Sequence, residues 1–229
     1  MFDMDFTFGI CSVKDNESLH KKIVDSIMDL NIPNFEILFI GHSSIDNEKI
    51  KVIEFDESEK SGWITRKKNI LCKCAKYENI VLLHDYIFFY PNWYEGFLEH
   101  GNDFQVCTNQ ILNYNGLRFR DWCLNPYDVI PPIGPIDTRE FFLPYEENRL
   151  NDKMYISGAY WVAKTKFMLD HPLNENLTWA QSEDIEWSIE ARNFTKFQFN
   201  KHSIVQCLKY KHCDFTPISQ ENINKLLYN

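Results

Sequence analysis

Three short clusters in this chain combine residue types and spacings that could do chemistry. His84-Asp85-Tyr86 follows the most hydrophobic run, Asn79-Ile80-Val81-Leu82-Leu83. An acid at a strand exit can hold a divalent metal or a ribose hydroxyl, because α/β sheets bind ligands at the carboxyl ends of their strands. An Asp that only begins a turn is the competing reading. Thr65-Arg66-Lys67-Lys68-Asn69 opens a helix. Three bases there oppose the macrodipole, so local stability does not account for them, whereas phosphate binding would. A solvated basic turn is the plainer alternative. Trp179-Ala180-Gln181-Ser182-Glu183-Asp184-Ile185-Glu186-Trp187 sets two adjacent acids between two indoles. Acids stabilise a helix start. Indole faces also pack on the apolar faces of sugars, and a neighbouring carboxylate can take a hydroxyl proton.

The elements that must position these clusters alternate through the first hundred residues. Phe6 to Val13 is a short apolar run that suits a buried strand, and Asp15 or Asn16 can cap the helix that follows. Leu19, Ile23, Ile27 and Leu30 share one face of that helix, which stops before Pro33. Phe35–Ile40 and Lys51–Phe55 read as strands, Thr65–Ala75 as a basic helix and Asn79–His84 as a fourth strand. Strands separated by helices imply parallel pairing with right-handed crossovers.

That rhythm is lost in the second half. Pro126, Pro131, Pro132, Pro135 and Pro144 fall between Asn113 and Asn151, which keeps regular elements short. Trp122, Phe141, Phe142 and Tyr145 need burial, so this stretch reads as an ordered functional loop region rather than a linker. Strand and helix-start signals return from Met154 to Phe167, Glu183–Arg192 looks helical, and the last thirty or so residues read as a mixed tail.

Composition bounds what these elements can build. A length of 229 residues suits one domain, and 44% hydrophobic with 15% aromatic residues supplies a sizeable core. The net charge of −9 opposes non-specific nucleic-acid binding, and no run reaches the roughly 18 apolar residues of a membrane span. Met1-Phe2-Asp3-Met4-Asp5 carries acids where an export signal would carry bases. Seven cysteines, an odd count without framework spacing, read as free thiols in a reducing compartment, hence a cytoplasmic protein. No Gly-x-Gly-x-x-Gly, Walker or Gly-x-Ser-x-Gly motif is present, and neither Cys72 with Cys74 nor Cys207 with His212 and Cys213 has zinc-site spacing.

In order and spacing, Gly62-Trp63-Ile64-Thr65-Arg66-Lys67-Lys68-Asn69, Ile80 to Asp85 and Ser182 to Trp187 resemble a GT-A-fold glycosyltransferase of the family 2 type, from Phe6 to about Arg192. The resemblance implies an α/β fold: a Rossmann-like, mostly parallel central sheet flanked by helices, with an irregular acceptor-side region. It implies one domain over 1–229, with a nucleotide-sugar-binding half at 1–110 and an acceptor and catalytic-base half at 111–229. Ile10, Cys11, Ser12 and Asp56 would line the nucleotide base pocket. Lys68, with Arg66 nearby, would face the nucleotide. Asp85 would hold a Mn²⁺ or Mg²⁺ diphosphate, with His212 able to complete the metal site. Asp184, or Glu183 beside it, would deprotonate the acceptor, a glycan or other hydroxyl, with Trp179 and the Ser157–Tyr160 segment, Tyr160 included, on the acceptor side. One base opposite a diphosphate leaving group suits inversion.

The chain departs from the family pattern in two places. His84-Asp85-Tyr86 lacks the second acid of Asp-x-Asp, and Gly41-His42 stands where many members have acids. A nucleotidyltransferase, a two-carboxylate glycoside hydrolase and an inactive nucleotide- or sugar-binding module are the rival readings.

Overall fold

The computed structural model describes residues 3–133 and 139–228, so Met1, Phe2 and Pro135 of the expectations above lie outside the described residues. In chain order the elements are β1 (Phe6–Cys11), α1 (Glu17–Met28), β2 (Phe35–Ile40), β3 (Ile50–Ile53), α2 (Ile64–Cys74), β4 (Asn79–His84), β5 (Ile87–Phe89), α3 (Trp93–His100) and β6 (Val106–Leu112). There follow β7 (Cys123–Leu124), α4 (Pro126–Ile133), β8 (Glu140–Phe142), β9 (Met154–Tyr155), β10 (Tyr160–Lys164), α5 (Thr165–Asp170), α6 (Glu183–Ala191), β11 (Gln198–Cys207), β12 (Thr216–Pro217) and α7 (Gln220–Tyr228).

Eight strands form the central sheet in the order β3-β2-β1-β4-β10-β6-β11-β5. The neighbours from β3 to β4 pair in parallel, as do β6 and β11, while β10 runs antiparallel to β4 and β6, and β5 antiparallel to β11. All strands but β10 and β5 therefore point one way, and the mostly parallel sheet expected from the sequence is present.

Alternation along β1 splits the core into two layers. Phe6, Phe8 and Ile10 pack with Ile23, Val24 and Ile27 of α1 and with Trp93 and Phe97 of α3. The opposite face, carrying Leu38, Ile40 and Leu82, packs against α2, α5 and α6 through Leu71, Phe167 and Trp187. The result is a sheet between two helical layers, each large apolar side chain contributing about 1.5–3 kcal/mol on burial. The stretch after Asn113 builds a small second sheet, β12-β8-β7-β9. Its strands are short, as the prolines require.

Three local expectations differ. Leu30 lies beyond the end of α1, although it is buried with that helix's face. Asn16 is the residue before α1 but its side chain makes no cap; its amide is used on Asp85 instead. β3 runs Ile50–Ile53, ending two residues before the expected Phe55.

Candidate active site

The carboxyl ends of β1 and β4 open into a cleft of about 530 Å³. Cys11, Ser12, Val13, Asn16, His84, Asp85 and Tyr86 form one part of its wall. Glu57, Gly62, Lys67, Trp179 and Lys211 line another part, and Asp15 adds another acid beside Asn16. A branch continues between Ser12 to Asp15 and Gly41, His42, Phe55 and Glu57. Gly41 is required at that corner: its φ is +115°, and a Cβ there would lie 2.4 Å from the Ser12 carbonyl oxygen. The Ser12 hydroxyl joins the two strand ends, donating to the Ile40 carbonyl at 3.2 Å and accepting from the His42 N–H at 2.9 Å.

Asp85 is only 2% exposed and its carboxylate is engaged by the protein. Oδ2 accepts from the Val13 N–H at 2.7 Å, Oδ1 accepts from the Asn16 amide at 2.6 Å, and the His20 Nε2 lies 3.4 Å from Oδ2. Burial pushes this carboxyl up, but hydrogen bonds from His20, Val13 and Asn16 outweigh it and hold the pKa below its ordinary value. The side chain thus fastens the loop after β1 to the end of β4. Next to it, the His84 ring stacks on Tyr86 with centroids 5.4 Å apart. Burial and the Lys68 charge push the His84 imidazole down to about 3, so it is neutral at physiological pH.

The acids of the third cluster begin α6. Asp184 is half-buried; its Oδ2 accepts from the Gly158 N–H at 2.7 Å and its Oδ1 from the Ile185 N–H at 3.0 Å. Glu183 is 6% exposed, and burial followed by the Asp184 charge raises its carboxyl. Neither Asp184 nor Glu183 is part of the cleft wall. Asp184 reaches it through the backbone, since Gly158, which holds it, precedes Ala159, whose carbonyl accepts from the His84 N–H at 3.1 Å. The turn before α6 is strained, with Ala180 at φ 66° and Ser182 at φ 58°. It holds Trp179, 66% exposed, at the cleft mouth.

A zipper of polar contacts fixes that turn against α2. Asn69 accepts from the Leu173 N–H at 2.9 Å and donates to the Leu173 carbonyl at 2.8 Å. The Trp63 indole donates to the Glu175 carbonyl at 2.7 Å, the Thr65 hydroxyl to the Leu177 carbonyl at 2.8 Å, and the Trp179 N–H to the Gly62 carbonyl at 2.9 Å.

Several residues expected at the site are elsewhere. Ile10 and Tyr160 are fully buried, and Tyr160 is a core residue whose hydroxyl donates to Asn109 and accepts from Trp93. Lys68 is also fully buried, with its ammonium donating to the Gly158 carbonyl at 2.7 Å and lying 4.4 Å from the Trp161 ring centroid. It supports the segment that holds Asp184 rather than facing the cleft. Its neighbour Lys67 lines the cleft and pairs with Glu57. Arg66 lies over Trp63 and pairs with Glu175 at 3.6 Å, outside the cleft wall. Asp56 is exposed and accepts from the Ser58 N–H, and of this adjacent pair it is Glu57 that lines the cleft. His212 is exposed and is not part of the wall, whereas Lys211 is.

Of the cleft residues, Lys67 stands in the sequence reading only as one of the three bases of the Thr65–Asn69 cluster, and Glu57 and Lys211 carry no role in it. The first had a signal: Ile64, Lys68, Leu71 and Cys72 repeat at helical spacing, which assigns Lys68 to the core face and leaves Lys67 beside it.

The divalent metal implied by the resemblance does not fit these residues. Both Asp85 oxygens already accept hydrogen bonds, the cleft acid Glu57 is paired with Lys67, and a second lysine ammonium, that of Lys211, shares the cleft with Asp15. Among the described residues no three His, Cys, Asp or Glu side chains converge to hold a metal ion.

No family model matches the chain, and no curated protein matches it. Solved structures do. The chain is similar to "GalNAc-T7 with UDP, GalNAc and Mn2+" at 14% identity and a TM-score of 0.61, covering 91% of this chain and 44% of that one. It is similar to residues 1–349 of TarS from S. aureus at 12% identity and a TM-score of 0.56, covering 97% of this chain and 63% of that one. The same TarS segment in complex with UDP gives 13% identity and a TM-score of 0.54. This chain therefore spans about half to two-thirds of the length of these neighbours. Such likeness concerns architecture, and the architecture of this chain is the GT-A glycosyltransferase fold.

Proposed function

We propose that the chain is a glycosyltransferase of the hexosyltransferase type. It moves a sugar from a nucleotide diphosphate donor, a UDP-sugar, to a hydroxyl of a glycan or another acceptor. The observation that carries this is the cleft at the carboxyl ends of β1 and β4, lined by Asp85, Lys67 and the Trp179 indole. Asp184 is held outside that wall on the Gly158 N–H at 2.7 Å, and the next carbonyl, that of Ala159, accepts from the His84 N–H of the cleft at 3.1 Å. Of the structural neighbours, TarS is in complex with UDP, and GalNAc-T7 is with UDP, GalNAc and Mn²⁺.

The nucleoside enters the branch bounded by Ser12, Gly41, His42, Phe55 and Glu57. The sugar then lies toward Tyr86 and Trp179, whose exposed indole offers an apolar face. The acceptor oxygen forms its bond to the anomeric carbon as the bond to the diphosphate breaks, and its proton passes to Asp184. One displacement with one base inverts the anomeric centre. Asp184 suits the role better than Glu183, which is buried and raised toward its neutral form. All seven cysteines are free thiols, which supports a reducing compartment such as the cytoplasm. Among the described residues no helix is long and apolar enough to cross a membrane.

The test is thermal shift with a panel of nucleoside diphosphates, followed by release of UDP from UDP-sugars. Saturation at about 100 times the dissociation constant should add about 2.7 kcal/mol of stability. If no nucleoside diphosphate raises the melting point, there is no donor site. Binding without UDP release, across donors and acceptors, would make the chain a binding module.

A further inference from the structure

The cleft presents an uncommitted positive charge beside Asp85. Lys67 and Lys211 both line it, but they differ in what they already hold. The Lys67 ammonium pairs with Glu57. Among the described residues the Lys211 ammonium has no carboxylate partner and no hydrogen-bond acceptor; it rests on the face of Tyr86, 3.9 Å from the ring centroid.

The position of Lys211 is built, not incidental. Asn113, 4% exposed, grips its backbone from both sides: the Lys211 N–H donates to Asn113 Oδ1 at 2.9 Å, and Asn113 Nδ2 donates to the Lys211 carbonyl at 2.5 Å. The Leu208 N–H donates to the Tyr86 carbonyl at 2.7 Å, which ties the same loop to the exit of β4. Burial lowers the Lys211 ammonium from its ordinary value, the sign of a charge partly stripped of water. Holding such a charge without a counter-ion costs free energy that an arriving anion recovers.

The same charge bears on the metal. A dication at Asp85 would share the cleft with a lysine ammonium and bind a carboxylate whose two oxygens already accept hydrogen bonds; of the other cleft acids, Glu57 is paired with Lys67, which leaves Asp15. We infer that Lys211 supplies the counter-charge for the donor diphosphate in place of a divalent cation, with Lys67 as a second cation in the same cleft. This rests on the donor-site reading above. As the bond from the anomeric carbon to the diphosphate oxygen breaks, the electron pair stays on that oxygen. The Lys211 ammonium stabilises it by hydrogen bonding, with no proton transferred.

The experiment is calorimetric titration of the full chain with UDP and with uridine, in EDTA and in manganese, for the natural sequence, Lys211→Gln and Lys211→Arg. Expected is the same UDP affinity in both buffers. Lys211→Gln should weaken UDP about ten- to a hundredfold, the range for hydrogen bonds to charged groups, and leave uridine unchanged. Lys211→Arg should keep most of the affinity. UDP binding that requires manganese, or that survives Lys211→Gln intact, overturns the inference while leaving the donor site standing. Failure of UDP and of every other nucleoside diphosphate in both buffers removes the donor site itself. Should Lys211→Gln melt early, the comparison of buffers on the natural sequence and on Lys211→Arg still decides.

Discussion

Gly158 and Asp184 meet so closely that the residue at 158 governs the carboxylate. The Gly158 N–H donates to Asp184 Oδ2 at 2.7 Å, and a Cβ at 158 would lie 3.2 Å from both that oxygen and the Asp184 Cβ. Gly158 is not in the left-handed backbone region, so alanine meets no backbone strain there. Gly158→Ala should therefore fold, and push the carboxylate by a few tenths of an ångström. Misplacement of about 1 Å costs on the order of 10²-fold in rate, so this variant should lose roughly tenfold in turnover. Turnover equal to the natural chain, at an unchanged melting point, would mean that the carboxylate position is not critical.

Asp184 and Glu183 should respond differently to neutralisation. Asp184→Asn should lose about 10² to 10⁴-fold in turnover, the range for a general base, and keep its UDP affinity. Glu183→Gln should lose far less turnover, because the buried carboxyl is already pushed toward its neutral form. Both are measured by UDP release and by titration with UDP. Full turnover in Asp184→Asn would end its role as base; a parallel loss of UDP binding would move it to the donor site.

Asp85→Asn should cost stability as well as activity. The carboxylate holds the Val13 N–H and the Asn16 amide, and an amide side chain can accept with only one of its two ends. Losing one such bond costs about 2 kcal/mol, visible as a shifted midpoint in urea unfolding. An unchanged midpoint would show that the loop after β1 does not depend on it.

Acid should weaken the fold through His84. In the unfolded chain this imidazole takes a proton near 6.5, and in the folded chain only at about 3. Between those values the unfolded state binds more protons, so stability falls as pH drops through that window. Asp85, held below its ordinary value, adds a loss at the acid end of the window, as pH falls below the unfolded value of 3.8. Urea unfolding at about pH 7 and about pH 5 should show a smaller drop for His84→Gln than for the natural chain. Equal drops would place the acid sensitivity elsewhere.

The sheet was legible where burial leaves an unbroken apolar run. Phe35–Ile40 and Asn79–His84 are strands with the expected bounds, because both faces of each are covered by helices. β11 gave no such run. Its Asn200 and Ser203 are fully buried but satisfied, Asn200 donating to Ser203 and Ser203 to the Trp93 carbonyl, so polar residues sit where apolar ones would have marked a strand. Near the site, the start of α6 at Glu183 was readable because acids in a first helical turn have a recognisable chemistry. The choice between Asp56 and Glu57 was not, since a loop has no periodicity to say which side chain turns inward. Lys211 was hidden for a related reason: it is placed by Asn113, almost a hundred residues earlier, and no local pattern records that pairing.

β10 lies between β4 and β6, yet it is synthesised long after β4. While the chain emerges from the ribosome, the edge of Ile80–Leu83 that Tyr160–Trp161–Val162–Ala163 will cover stays open. An open, apolar strand edge invites pairing between nascent chains. Fragments ending before Tyr160 should accordingly precipitate or be held by chaperones.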